Sequence, residues 1–152
     1  MKRKNLSKAE CPVARSLDVI GDWWSLLIIR DAFDGINRFS ALQKNLGIAR
    51  SMLTARLQEL VEHGVLETAP ASDGTAYQEY VLTEMGRGLF PVIVALRQWG
   101  EANLYQPGEQ HSVLLETQTG KPVTRLELRS RENQVLKWRD TMVRKLSPDG
   151  KH

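Results

Sequence analysis

An α+β fold is predicted for this 152-residue chain by three observations. Apolar residues recur at helical spacing in four segments between Pro12 and Gly64, two extended segments then flank an Asp-Gly pair, and another helical segment follows Thr83. This order, helices followed by a β-hairpin and a long helix, is that of a winged helix-turn-helix domain. The composition fits a soluble globular protein, since 41% of the residues are hydrophobic and 26% are charged.

The first helix is predicted to begin at Pro12, because proline suits the first turn of a helix. Val13, Leu17 and Ile20 follow at spacings of four and three residues, which places them on one helical face. Gly21 is expected to end this helix. Residues 1–10, which precede it, are interpreted as a basic N-terminal tail.

Asp22 is predicted to cap the second helix, and Asp34-Gly35 is expected to break it. The apolar positions of this segment go most of the way round a helix, so we expect the helix to be buried on nearly every side. These positions are Trp23, Trp24, Leu26, Leu27, Ile28, Ile29 and Phe33.

Two short helices joined by a tight turn are predicted next, and together they form the helix-turn-helix. Ser40 is expected to cap the first helix, and Gly47 to stop it. Ser51 is expected to cap the second helix, and Gly64 to supply its left-handed exit. The residues expected to face inward are Leu42 and Leu46 in the first helix, and Leu53, Leu57, Leu60 and Val61 in the second.

Residues 65–71 and 76–82 are predicted to be the two strands of a hairpin, the wing, because Asp73-Gly74 between them is a strong hairpin signal. Thr83 is predicted to cap a long helix that extends to about Leu104, with Pro91 kinking its middle. A helix this long outside the compact motif indicates pairing with a second copy of the chain. The expected dimer-interface residues are Val13, Leu17, Leu89, Val92, Ile93, Leu96 and Trp99.

The remaining residues, 105–152, are interpreted as a small β appendage that follows a DNA-binding and dimerisation domain at residues 11–104. Two extended segments, residues 113–115 and 124–128, flank Thr119-Gly120, and a third strand is expected at residues 135–143. The appendage has too little apolar content to stand alone.

The charge distribution indicates a polyanionic partner for the helix-turn-helix. Residues 38–60 carry four basic side chains and one acidic one, whereas residues 61–104 carry two basic and six acidic ones. The second short helix presents small and polar side chains, which can reach the base edges and phosphates of double-stranded DNA. The expected DNA contacts on this helix are Arg50, Ser51, Met52, Thr54, Ala55, Arg56 and Gln58.

Four further residues are expected to contact DNA from outside that helix. Arg38 and Ser40 can bind the phosphate backbone of DNA from the start of the preceding helix. Tyr77 and Gln78 are the expected contacts from the wing. For all of these side chains the alternative interpretation is a solvated surface.

The residues of this chain resemble the HxlR family of bacterial transcriptional regulators over about residues 11–104. What carries the resemblance is the order and spacing of many short matches. They are Cys11-Pro12-Val13, Ile20-Gly21, Trp24, Leu26-Leu27, Arg30, Arg38-Phe39-Ser40, Leu53-Thr54, Arg56-Leu57, Glu59-Leu60, Gly64, Glu79-Tyr80, Leu82-Thr83, Gly86-Arg87 and Trp99-Gly100.

The resemblance implies a homodimeric regulator that binds a near-palindromic DNA operator, most often beside genes for detoxification or redox metabolism; repression is the expected effect. The wing departs from the basic, proline-rich tip that is usual in the family, since its tip is Asp73-Gly74-Thr75. A contribution of the wing to DNA binding is therefore an open question at this point.

Cys11 is the single cysteine, so an intrachain disulfide is excluded. Together with the lack of a secretory signal or a membrane-spanning apolar run, this indicates the reducing cytoplasm and no membrane partner. The resembled family includes sensors of aldehydes, quinones and oxidants that use a cysteine at this position, which implies a small-molecule or oxidant effector. The alternative is an inert thiol packed between subunits.

We expect no cofactor, no metal ion and no enzymatic activity. His63, His111 and His152 are not paired at ligand spacing, and the sequence contains no phosphate-binding glycine loop. The alternative function is a winged-helix module that binds a protein partner or a small aromatic ligand. Its pocket would be lined by Trp23, Trp24, Leu96 and Trp99.

Overall fold

A computed structural model describes residues 3–146 and confirms the predicted α+β winged helix-turn-helix fold. Met1 and Lys2 of the predicted tail, and residues 147–152 of the predicted appendage with His152, lie outside the described residues. The elements are α1 (Pro12–Ile20), α2 (Trp23–Phe33), α3 (Phe39–Leu46), α4 (Arg50–Glu62), β1 (Leu66–Pro70), β2 (Gln78–Leu82), α5 (Glu84–Arg87), α6 (Phe90–Asn103) and a short 3₁₀ helix (Trp138–Asp140).

The chain divides into two compact units, one up to Ile93 and one from Val94 onward, so the division falls within α6. No helix among residues 3–146 is long and apolar enough to cross a lipid bilayer.

Buried aliphatic side chains hold the helices and the hairpin of the first unit together. Ile28 and Ile29 of α2 and Leu53 and Leu60 of α4 are completely buried. Each side chain of this size contributes about 1.5–3 kcal/mol when it leaves water. The other members of the cluster are Ile20, Leu42, Ile48, Leu57, Val65 and Leu66.

Most predicted helix boundaries are confirmed, among them the start of α1 at Pro12, its end at Gly21 and the end of α2 at Asp34. The side chain of Asp22 accepts a hydrogen bond from the Ser25 amide at 3.2 Å and caps α2. Gly47 ends α3 with φ +63°, a conformation that costs glycine little because it has no Cβ. Thr83 Oγ1 accepts from the Gly86 amide at 3.0 Å and caps α5.

Two predicted caps are wrong, because Ser40 and Ser51 lie inside the helices they were expected to precede. Arg38 is the N-cap of α3 and Ala49 is the N-cap of α4, and neither makes a capping bond with its side chain. Phe39 packs against the buried cluster and is the first residue of α3. Tertiary packing here prevails over the local preference of serine for the cap.

The expectation that α2 is buried on nearly every side is wrong at its first residue. Trp23 is 71% exposed, and its ring meets Trp24 edge to face with the ring centroids 6.1 Å apart. The buried positions of α2 also include the polar residues Ser25 and Asp31. Because Trp23 is the first residue of α2, it projects beyond the core.

The wing forms where it is predicted, with slightly shorter strands. β1 and β2 pair antiparallel in a register that runs from Leu66 opposite Leu82 to Pro70 opposite Gln78. Gly74 has φ +77° at the tip, where a left-handed residue is required for the turn. The residues between the strands, 71–77, therefore form the tip of the wing.

The single long helix predicted for residues 83–104 is wrong, because the chain turns between α5 and α6. The Leu89 amide bonds to the Gly86 carbonyl at 3.0 Å in this turn. Pro91 does not kink a helix but lies in the first turn of α6, where its missing N–H sacrifices no helical hydrogen bond.

The predicted β appendage is not formed as strands within residues 105–146. Leu115 and Pro122 form one isolated bridge, around a turn at Gly120, and Arg129 and Val135 form another. The expected third strand, residues 135–143, instead contains the 3₁₀ helix. A sheet needs an apolar face to bury, but the large apolar side chains of this segment are mostly exposed; for example, Trp138 is 79% exposed.

A side chain of α6 holds part of this extended segment within the second unit. The Gln98 amide nitrogen donates to the Thr124 carbonyl at 3.0 Å, and its oxygen accepts from the Leu126 amide at 2.7 Å. Arg97 donates to the carbonyl and hydroxyl oxygens of Ser112. These bonds from helix side chains add to the few backbone hydrogen bonds of the segment, such as that from the Val123 amide to the Leu114 carbonyl at 3.2 Å.

Candidate nucleic-acid interface

The N-terminal half of α4 presents an exposed face opposite its buried leucines. Leu53 and Leu57 fix the rotation of the helix by packing in the core. Thr54 Oγ1 donates to the Arg50 carbonyl at 2.9 Å, so its hydroxyl oxygen lies close to the helix surface. Six of the predicted contact residues are exposed on this helix: Arg50, Ser51, Met52, Thr54, Ala55 and Gln58.

Arg50 and Phe39 join the start of α4 to the start of α3. The guanidinium carbon of Arg50 lies 5.4 Å from the centre of the Phe39 ring. At this distance the cation is attracted to the negative face of the ring. The contact holds the arginine at the surface with its donors available to a ligand.

A groove of about 630 Å³ lies between the start of α3 and the wing. Four of the predicted DNA contacts line this groove. They come from two segments far apart in the chain, the start of α3 and the wing, which the fold brings together. The groove is lined by Arg38, Phe39, Ser40, Ala76, Tyr77, Gln78 and Tyr80. Phe39 therefore borders the groove and also lies under Arg50.

Arg38 is bound to the tip of the wing. Its Nη2 atom lies 2.5 Å from Asp73 Oδ2, and its guanidinium carbon lies 5.8 Å from the centre of the Tyr77 ring. The hydrogen bond with Asp73 raises the pKa of Arg38. The same bond, with one from Thr75, lowers the pKa of Asp73 to about 2. Both groups are therefore charged at neutral pH.

The base of the wing is fastened by Glu79, a buried carboxylate that sequence reasoning did not single out as a site residue. Its Oε1 accepts from the amide and hydroxyl of Ser72 at 3.0 and 2.9 Å, and its Oε2 accepts from Asn37 Nδ2 at 3.3 Å. The Tyr80 amide donates to the Asn37 carbonyl at 2.7 Å. The feature of the sequence that could have indicated this role is an acidic residue within a predicted strand.

Arg56, also a predicted DNA contact, is occupied by carboxylates in the free chain. Its Nη1 donates to Glu59 Oε2 at 2.8 Å, and its Nε lies 3.5 Å from Asp22 Oδ1. The second contact is an ion pair without hydrogen-bond geometry, since Nε is buried and has no hydrogen-bond partner among the described residues. With 20% of its side chain exposed, Arg56 connects α4 to the start of α2.

Cys11 is exposed and occupies the N-cap of α1, directly before Pro12. Its carbonyl accepts from the Arg15 amide at 3.2 Å, which is the first hydrogen bond of the helix. Within residues 3–146, no three histidine, cysteine or carboxylate side chains are grouped so that they could hold a metal ion.

The residues expected at a dimer interface leave much apolar surface exposed in the single chain. Val13 and Leu17 on α1 are 66% and 49% exposed, and Trp99 on α6 is 61% exposed. Val92 and Leu96 on α6 are likewise exposed, whereas Leu89 and Ile93 are partly buried against the core.

The tryptophans of the alternative ligand site lie in both units. Trp23 and Trp24 pack on each other at the start of α2. Trp99 lines a cleft of about 540 Å³ within the second unit, together with Gln98, Val123 and Leu126, and Leu96 is not among its lining residues.

The profile of the HxlR-like helix-turn-helix family matches residues 19–107. A relative from Mycobacterium tuberculosis, named as an HTH-type transcriptional regulator, is 48% identical over 95 residues, which are 62% of this chain and 60% of the relative. The match thus spans less than two thirds of that relative's length. The regulator YybR of Bacillus subtilis is 35% identical over 105 residues, or 67% of this chain and 84% of YybR.

Solved structures similar to this chain include those of PA1607 and HypR. The crystal structure of PA1607, described as a transcription factor, superposes with a TM-score of 0.88 at 52% identity and covers 93% of this chain and 99% of its own. The redox regulator HypR, in its oxidized form, superposes with a TM-score of 0.57 at 35% identity and covers 63% of this chain and all of its own (100%).

Proposed function

Because the chain belongs to the HxlR-like helix-turn-helix family and is a transcriptional regulator of the HTH type, we propose that it binds a near-palindromic DNA operator as a homodimer and represses transcription. Its compartment in this proposal is the reducing cytoplasm, which is consistent with a single cysteine.

The observation that carries the proposal is the junction of two surfaces at Phe39. The exposed start of α4 meets the groove between α3 and the wing there, because Arg50 packs on a ring that also lines the groove. In this proposal, side chains from three separate segments therefore face the same ligand. An elongated polyanion fits this arrangement better than a small molecule does.

Each part of this surface has a distinct role in the proposal. Arg50 reads base edges in the major groove, with Ser51, Met52, Thr54, Ala55 and Gln58 beside it. Arg38 and Ser40 bind backbone phosphates next to the recognition helix. Tyr77 and Gln78 of the wing complete the contact from the other wall of the groove. Arg56 contributes to DNA binding only if it exchanges its bond with Glu59 for one with DNA.

The homodimer is supported by the exposed apolar residues of α1 and α6. Soluble monomers seldom leave many large apolar side chains in water, and Leu17, Leu96 and Trp99 are 49%, 50% and 61% exposed. Pairing through α1 and α6 would set two recognition helices about one DNA turn apart, as a near-palindromic operator requires.

A response to oxidants or electrophiles is the regulatory part of the proposal, and Cys11 is its candidate sensor. The supporting observations are the exposure of the thiol at a helix start and the similarity to HypR, a redox regulator. With one thiol in each chain, the oxidised product would be an intersubunit or mixed disulfide.

Footprinting on the DNA upstream of the chain's own gene tests the proposal in two steps. The reduced protein should protect a near-palindromic site, and repression should appear as less transcript from that promoter in vitro. Peroxide or a quinone should abolish the footprint of the wild type but not that of Cys11→Ser. Protection without an oxidant effect would retain the DNA-binding proposal and remove the redox part; no protection would remove both.

A further inference from the structure

We infer that Asp73, at the tip of the wing, is a built-in competitor of the DNA backbone for Arg38, and that it sets the affinity of the site by occupying this arginine until a phosphate displaces it. The inference rests on the proposed DNA-binding function. It assigns a defined role to an acidic residue on a surface that otherwise faces a polyanion.

The geometry places the carboxylate where a phosphate oxygen would bind. Asp73 Oδ2 lies 2.5 Å from Arg38 Nη2, and this pair is partly open to solvent, with 49% of the Asp73 side chain and 32% of the Arg38 side chain exposed. Arginine binds carboxylate and phosphate through the same planar donors. A phosphate approaching the groove therefore meets a cation that already has an anionic partner.

Asp73 is the carboxylate that can be displaced, whereas Glu79 is not. Glu79 Oε1 lies 3.8 Å from Arg38, but Glu79 is buried and bonded to Ser72 and Asn37. Asp73 Oδ1 keeps a hydrogen bond from the Thr75 amide at 3.0 Å, so the turn can survive the loss of the arginine contact. Exchange at Arg38 thus leaves the base of the wing intact.

The negative charge of the tip opposes DNA binding after a phosphate has replaced Asp73 on Arg38. Residues 71–77 carry one acidic side chain and no basic one. When a phosphate replaces the carboxylate, Asp73 remains near that phosphate as an unpaired anion. The like-charge repulsion lowers affinity, and it also cancels the counterion release that Arg38 would otherwise add.

The opposite role for Asp73 is to hold Arg38 in position for DNA. A positioning role predicts weaker binding when the carboxylate is lost, whereas competition predicts tighter binding. The substitution Asp73→Asn separates the two, because asparagine retains an oxygen for the Thr75 amide and removes both the charge and the oxygen that faces Arg38.

The experiment is a fluorescence-anisotropy titration of a duplex from the DNA upstream of the gene, at salt concentrations from about 50 to about 200 mM. The proteins are the wild type, Asp73→Asn, Arg38→Ala and the double variant. Glu62→Gln serves as a control, since it removes one negative charge at the opposite end of α4. Thermal melts confirm that each variant is folded.

Competition predicts that Asp73→Asn binds about two- to fivefold more tightly than the wild type, the range for an exposed ion pair. Its salt dependence should be steeper by about 0.9 in log–log slope, for one more phosphate neutralised. Both changes should be clearly smaller in the Arg38→Ala background, and neither should occur with Glu62→Gln.

The inference is overturned if Asp73→Asn binds equally or less tightly, or if its gain is the same without Arg38. If the wild type itself binds no duplex at the lowest salt concentration, the proposed DNA-binding function fails. The two failures are therefore distinguishable.

Discussion

Arg50 packs its guanidinium group on the ring of Phe39, with 5.4 Å between the guanidinium carbon and the ring centre, so the first residue of α4 rests on the first residue of α3. The recognition surface is thereby tied to the groove beside it. This relationship makes Arg50 the side chain on which the proposed DNA contact most depends.

Arg50→Ala should weaken operator binding by about 1–3 kcal/mol, the cost of losing an arginine that reads a base edge. Arg139 provides a matched control, because it also packs on an aromatic ring, 5.2 Å from Trp138, outside the proposed interface. Anisotropy titrations should detect the loss for Arg50→Ala and no change for Arg139→Ala. Equal affinities for the two variants would remove Arg50 from the interface.

Arg56→Ala should lower the thermal stability of the free protein, because it removes the ion pairs with Glu59 and Asp22. These pairs are partly exposed, so the expected loss is about 1 kcal/mol, or roughly 2–4 °C for a chain of 152 residues. Arg50→Ala, whose contact is a single cation–π pair, should melt within about 2 °C of the wild type.

Affinity measurements on the same variant address the DNA contact proposed for Arg56. If Arg56 binds DNA, Arg56→Ala should lose affinity at a temperature where it is fully folded. An unchanged melting temperature would contradict the structural account, and an unchanged affinity would contradict the DNA contact alone.

Asp31→Ala should destabilise the fold strongly. The Asp31 side chain is 1% exposed, and its two oxygens accept from Arg30 at 2.9 and 3.0 Å and from Asn45 at 2.7 Å. Asp31→Ala leaves Asn45 and Arg30, whose side chain is 37% exposed, without their shared acceptor, which costs about 1–3 kcal/mol. Urea denaturation should show this loss for Asp31→Ala, while Asp34→Ala, at the exposed residue directly after the same helix, should stay within about 0.5 kcal/mol of the wild type. Similar midpoints for the two variants would contradict the prediction.

Trp99→Glu and Leu17→Glu should convert the protein to a monomer, because each puts a charge into the proposed apolar interface. Trp23→Glu is the matched control, since Trp23 is a similarly exposed tryptophan, 71% against 61%, that is not assigned to the interface. Sedimentation velocity should give twice the chain mass for the wild type and the control. A monomeric wild type would refute the homodimer, and dimers in all variants would refute this interface.

Local signals predicted much of the fold. Asp22, Gly47 and Thr83 act within one helical turn of their partners, so their roles could be predicted from the neighbouring residues. The first residues of α3 and α4 could not, because Phe39 enters α3 where it packs against distant core residues. The break between α5 and α6 is not predicted, because a proline inside an apolar helical pattern indicates a kink, whereas Pro91 lies in the first turn of a new helix.

Sequence reasoning names four residues that line the groove, but it does not predict the contacts among them. Arg38, Ser40, Tyr77 and Gln78 were each expected to contact DNA, and the groove brings them together. The pairing of Arg38 with Asp73 joins residues on separate elements, and no local pattern indicates it. Long-range ion pairs depend on how the helices and the wing pack, which one sequence does not encode in its spacing.

The most direct test of the central claim is a binding titration of the wild-type protein on two duplexes, one from upstream of its own gene and one of scrambled sequence. The salt concentration should range from about 50 to about 200 mM. We expect tight, sequence-selective binding to the first duplex. The logarithm of the association constant should fall linearly with the logarithm of the salt concentration, with a slope of about −0.9 for each phosphate neutralised. No binding at the lowest salt concentration, or binding that is independent of both salt and sequence, would contradict the assignment of this surface to operator DNA.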